Sequence, residues 1–141
     1  MVGILVICHS NLAQELVSTA ELIVGKLDQC LAISMDTKHT IEELKEIVAS
    51  HLKRVDDGDG VLILTDLFGG TPSNISISFL QKGKVEVISG VNLPMLIKLA
   101  STRKGKSLEE IAPIIKEYGQ RNISLASELM PLKKTKKSSR K

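Results

Sequence analysis

The apolar positions of this chain fall into two alternating rhythms, short continuous runs and helically spaced sets. The run from Ile4 to Ile7 is β-branched and unbroken, which predicts a buried strand that stops at the polar ring of His9. Ser10 or Asn11 can then cap a helix running to about Val24, with Leu12, Leu16, Thr19 or Ala20, and Ile23 on one face and Gly25 at its end. Leu31 to Met35 predicts a second strand. Thr40 followed by Glu43 is a capping box, and Ile41, Leu44, Ile47, Val48 and Leu52 give the next helix its inner face. A turn cluster over 56–60 precedes a third strand, Val61 to Thr65, apolar throughout as befits a strand covered on both sides. Thr71 suits the cap of a short helix with Pro72 in its first turn and Ile75, Phe79 and Leu80 inward. Lys84 to Ser89 predicts a fourth strand, and Met95, Leu96 and Leu99 mark the helix after it. Arg103 to Lys106 reads as a polar break. Ser107 with Glu110 is a second capping box, for a helix ending near Tyr118 and Gly119.

Strands alternating with helices over short connections imply an α/β fold. The expected architecture is a doubly wound, mostly parallel four-stranded sheet with helices on both faces. Residues Asn122 to Ala126 supply an expected fifth, antiparallel edge strand, paired with its own sheet or with a partner's. Residues 1–130 are expected to form one folded domain. Residues 131–141 are basic and carry too little apolar surface to fold, so they are read as a disordered tail.

Charge changes this picture in one respect. The chain of 141 residues has a net charge of +3, but the segment Leu132 to Lys141 alone holds six Lys and Arg and no acid. Without it the body is mildly acidic, near −3. A nucleic-acid role resting on the body is therefore disfavoured, and two Phe, one Tyr and no Trp leave few stacking platforms. No run of about 18 apolar residues predicts a membrane span, and no basic leader with a small-residue cleavage site precedes the first strand. Cys8 and Cys30 are read as free thiols, with Cys8 facing away from His9 along the strand.

The candidate chemistry lies at two strand tips. His9 follows the first strand and Asp66 the third, and in a doubly wound sheet such tips can meet in one crevice. An aspartate facing one imidazole nitrogen fixes the tautomer and frees the other nitrogen to attack. Main-chain N–H groups of Ser10, Asn11 and Leu12, and of Gly69 to Ser73 including Gly70, are candidate donors to phosphate oxygens, with Thr71 adding a hydroxyl. The plainer readings stand beside these: a strand-end histidine is most often a satisfied polar residue, and Gly69-Gly70 often marks only a tight turn. His39 and His51 read as surface residues. The three histidines have no metal-ligand spacing, and no dinucleotide or Walker motif is present, so neither metal nor cofactor is expected.

Four ordered blocks carry a resemblance to a known family. They are Gly3 to Ser10; the Leu-x-x-Thr-Ala-Glu-x-x-x-Gly of Leu16 to Gly25; Leu64 to Asn74; and Val87 to Leu96. Together they make the chain similar to the IIA domain of the mannose-type (mannose/fructose/sorbose) sugar phosphotransferase system, PTS. The resemblance implies a cytoplasmic phosphocarrier. His9 would take a phosphoryl group at Nε2 from phospho-HPr and pass it to a histidine of a separate IIB subunit for sugar uptake. It implies Asp66 on the Nδ1 side, Thr71 beside the site, a homodimer that in some members exchanges its last strand, and membrane contact only through the transporter. Leu12, Leu67, Phe68 and Leu93 are candidates for an apolar rim where two partner proteins dock. Cys8 and Ser10 differ from the Thr and Gly of one well-known branch, which leaves the sugar open. The alternatives are the phosphotransfer subunit of dihydroxyacetone kinase, which has a related domain, and a PTS-linked regulatory phosphoprotein without its own transporter.

Overall fold

Strands form where the apolar runs lie, and the computed structural model describes residues 1–130. Four strands, β1 (Gly3–His9), β2 (Cys30–Met35), β3 (Val61–Thr65) and β4 (Val85–Ser89), make one sheet in the order β2-β1-β3-β4, every pair parallel. β1 and β3 occupy the centre and are buried on both faces, apart from His9. Their side chains alternate between two cores, as the period of two requires. Ile4, Val6, Cys8, Leu62 and Leu64 pack under α1 (Leu12–Val24), α4 (Leu93–Thr102) and α5 (Leu108–Arg121). Leu5, Ile7, Val61 and Ile63 pack under α2 (Ile41–Val55) and α3 (Thr71–Ile77). A short α6 (Ala126–Leu129) closes the described chain.

Both capping boxes form as the sequence implies: Thr40 accepts from the Glu43 amide and Ser107 from the Glu110 amide, each glutamate reaching back in return. Gly25 ends α1 with φ at 88°. The inner face of α1 differs from the helical reading. Ala13 and Ala20 are buried with Leu16 and Val17 beside them, whereas Leu12 and Ile23 are exposed. Small residues let α1 approach the sheet closely, which displaces the contact stripe by one position. Ile41, at the start of α2, is exposed too, and Leu80 lies beyond the end of α3 and is also exposed.

Three further expectations are corrected. Asn122 to Leu125 belong to no strand, and Ala126 begins α6. The expected edge strand is not paired with its own sheet, and Ile123 and Leu125 stand exposed. α5 runs past Gly119 to Arg121, because Gly119 lies inside the helix where any side chain would collide with Met95. Residues 103–106 do break the chain between α4 and α5, but Arg103 itself is not turned to solvent. It is buried at the end of α4, where Nη1 donates to the carbonyls of Val2 at 3.0 Å and Gln29 at 3.5 Å, joining the starts of β1 and β2. The basic tail lies outside the described residues.

Candidate active site

β1 and β3 are hydrogen-bonded neighbours, and their register pairs Ile7 with Thr65, so the residues that follow emerge side by side at the carboxyl edge. There the carboxylate of Asp66 meets His9. Oδ2 accepts from the His9 backbone N–H and from ring Nδ1, each at 2.9 Å. Oδ1 accepts the Leu67 N–H at 3.0 Å. A carboxylate can only accept, so Nδ1 carries a proton and, in the neutral ring, Nε2 is left with its lone pair. The His9 side chain is 48% exposed and that of Asp66 12%. Partial burial pushes the Asp66 carboxyl up, but the bonds from the His9 amide and ring outweigh it and hold it below the ordinary carboxylate range.

The main chain around the ring is short of acceptors. Ser10 adopts a left-handed conformation, φ 53°, which turns the chain from β1 straight into α1 at a cost of about 1 kcal/mol for a residue with a side chain. After it, the amides of Asn11 and Leu12 donate to no acceptor among the described residues. The amides of Gly69, Gly70 and Thr71 likewise donate to no acceptor among the described residues, with Gly69 at φ 92° and α3 starting at Thr71. Gly70 rather than Thr71 occupies the cap position. N–H groups without a protein acceptor at the starts of two helices can hold an anionic group.

Residues 3–116 match the family described as the PTS system fructose IIA component. The chain belongs to this family. It is 28% identical over 136 residues to the PTS system fructose-specific EIIA component of Bacillus subtilis, covering 96% of this chain and 93% of that protein. It is 31% identical over 125 residues to the putative phosphotransferase enzyme IIA component YadI of Escherichia coli, covering 88% and 86%. Among solved structures, the phosphotransferase system component EIIA from Streptococcus agalactiae superposes with a TM-score of 0.82 at 25% identity, covering 91% of this chain and 99% of that one. Phosphoryl transfer in the sugar phosphotransferase system is the general activity of such a IIA component.

Within this IIA component several candidates take different places from those expected. The Ser10 amide is turned to β2, donating to the Met35 carbonyl at 3.4 Å, so it does not join the open donors. Ser73 is fully buried, its Oγ 3.1 Å from Ser89 Oγ, and its amide has no face toward solvent. Leu12, Leu67 and Phe68 are exposed, Phe68 at 76%, whereas Leu93, at the start of α4, is half-buried and packs partly against the core. Cys8 is buried on the opposite face of β1 and burial pushes its thiol up to about 12, so it is inert. His51 is tied to the Ile47 carbonyl at 2.8 Å and His39 to Asp36 Oδ1 at 2.9 Å, both away from His9 in sequence and bonding. Among the described residues no three His, Cys, Asp or Glu converge as a metal would need.

One supporting group escapes a reading by motif. Thr65 Oγ1 donates to Ser89 Oγ at 2.8 Å, and Ser89 in turn meets Ser73. This chain of three hydroxyls ties the ends of β3 and β4 to the first turn of α3, beneath the loop that carries Asp66 and Gly70. Its signal in the sequence is faint: a hydroxyl residue ends each of two strands that the register pairs, Thr65 with Ser89.

Proposed function

We propose that His9 is the phosphoryl-accepting nucleophile, taking the group from phospho-HPr and passing it to a histidine of a separate IIB subunit for sugar uptake. The observation that carries this reading is the bond from His9 Nδ1 to Asp66 Oδ2, which in the neutral ring leaves the lone pair on Nε2 of a half-exposed side chain. In the accepting step the Nε2 lone pair forms the new N–P bond while the bond to the donor nitrogen breaks, its electron pair returning to the donor ring. The proton on Nδ1 stays in place, so the phosphorylated ring is cationic and Asp66 balances that charge. Transfer to the acceptor reverses these roles. Positioning and charge stabilisation carry such transfer more than covalent help does. The free amides of Asn11, Leu12, Gly69, Gly70 and Thr71 are assigned to the phosphoryl oxygens, with the Thr71 hydroxyl beside them.

The exposed apolar side chains of Leu12, Leu67 and Phe68 suit two successive protein partners that approach the same ring. No helix among the described residues is long and apolar enough to cross a membrane. The reading places the protein in the cytoplasm, as a homodimer, meeting the membrane only through its transporter. Incubation with phosphoenolpyruvate, enzyme I and HPr should label the wild type with an acid-labile, base-stable phosphate on His9. Label that persists in His9→Ala would sink the assignment.

A further inference from the structure

The adjacent glycines Gly69 and Gly70 serve different physical needs. Gly69 has φ at 92° and open space where a Cβ would stand, so its backbone angle is what asks for glycine. Gly70 has φ at −85° and ψ at 172°, a conformation open to any residue. What asks for glycine there is proximity. A Cβ on Gly70 would lie 2.9 Å from Cε1 and 3.3 Å from Nε2 of His9, and 3.7 Å from Leu67 Cδ2.

The imidazole is therefore clamped on two sides. Asp66 Oδ2 holds Nδ1, and the edge that carries Cε1 and Nε2 occupies the space a side chain on residue 70 would need. We infer that Gly70 is a positioning and specificity-determining residue, whose missing side chain fixes which ring nitrogen receives the phosphoryl group. This rests on His9 being the nucleophile. An alanine at 70 leaves the backbone angles unstrained but needs the ring to move. Asp66 cannot follow the ring, because the Leu67 amide anchors its other oxygen and the His9 amide shares the first. The ring then leaves the 2.9 Å bond, Nδ1 loses its fixed proton, and both nitrogens compete for phosphorus. In either position the lone pair of the attacking nitrogen makes the N–P bond and the donor nitrogen departs with its electrons, so only the site of attachment changes.

The test compares wild type, Gly70→Ala, His9→Ala and the double variant. Long-range proton–nitrogen spectra of the unphosphorylated wild type should show neutral His9 protonated on Nδ1 alone, and Gly70→Ala should lose that single tautomer. With phospho-HPr as donor, Gly70→Ala should accept phosphate at least tenfold more slowly and yield a mixture of Nδ1- and Nε2-phosphohistidine. Thermal midpoints should fall in Gly70→Ala relative to wild type but coincide for His9→Ala and the double variant, where no ring is left to collide. A Gly70→Ala protein with the wild-type tautomer, isomer and rate would overturn the inference. If the wild type took no phosphate on His9, the proposed function would fail instead, and the tautomer and the thermal comparison would still decide whether Gly70 positions the ring.

Discussion

Two histidine–aspartate pairs stand at the carboxyl edge of this sheet with the same ring-to-oxygen distance, 2.9 Å, and they are built differently. His39 and Asp36 lie three residues apart in the loop after β2, and the Asp36 side chain is 44% exposed. Asp36 Oδ1 also accepts the Lys38 amide, a purely local turn. His9 and Asp66 lie 57 residues apart, brought together by neighbouring strands, and the carboxylate is mostly buried with both oxygens bonded to the main chain. The segments that follow His9 and Asp66 also carry amides with no acceptor among the described residues. The distance within a pair thus says little about chemistry. What separates the two is the scaffold that anchors both oxygens of one aspartate to the main chain and leaves amides without acceptors in the segments beside it.

The contrast is broken most severely by Asp66→Asn. A neutral amide orients the ring less surely and cannot balance an imidazolium, so phosphoryl transfer should slow by about 100-fold, near 2.7 kcal/mol of barrier, in a rapid-quench assay with phospho-HPr. An unchanged rate would make the two pairs equivalent. Next in size is Ser89→Ala, which strips Thr65 and Ser73 of their shared partner and should lower stability by about 1–2 kcal/mol in urea unfolding. Loss of nothing there would mean that the hydroxyl chain does not brace the loop.

A smaller effect separates the pairs by pH. His39 is raised and Asp36 lowered by their mutual hydrogen bond. The Asp36 part of the stabilisation is present above the unfolded carboxylate value and is lost as pH falls through the folded one. The His39 part is complete below the unfolded imidazole value and fades as pH rises through the folded one. Their joint contribution is therefore full only from about pH 4 to about pH 6.5, and the gap in thermal midpoint between wild type and Asp36→Asn should narrow on either side of that window, less on the alkaline side, where Asp36 still accepts the Lys38 amide. The smallest expected effect is on activity: Asp36→Asn should transfer phosphate at the wild-type rate, and a tenfold loss would implicate the β2 loop in the site.

Much of this was legible because the decisive features are local or periodic. Ile4 to Ile7 and Val61 to Thr65 announce central strands by their continuous apolar character, and a polar residue at each tip points to one edge of the sheet. Thr40 and Ser107 mark their helices through bonds three residues long. What was illegible depends on contacts between distant segments. Arg103 looks like a surface cation in sequence, and only the fold brings the Val2 and Gln29 carbonyls to it. Gly70 looks like half of a turn until His9 is placed against it. Leu93 is apolar and opens α4, and only the fold shows it half-buried against the core rather than as exposed as Phe68. The segment 122–125 alternates as a strand would, and alternation does not supply a ladder to join.

Because one oxygen of Asp66 grips both the main chain and the ring of the same histidine, that side chain is fastened to its own backbone through an outside atom. Its torsional freedom is spent when the protein folds, not at each encounter. On the proposed function, any visitor, whether it delivers or collects, would meet the lone pair pointing the same way, so two carriers of unrelated shape would need to agree only on where they hold their phosphorus.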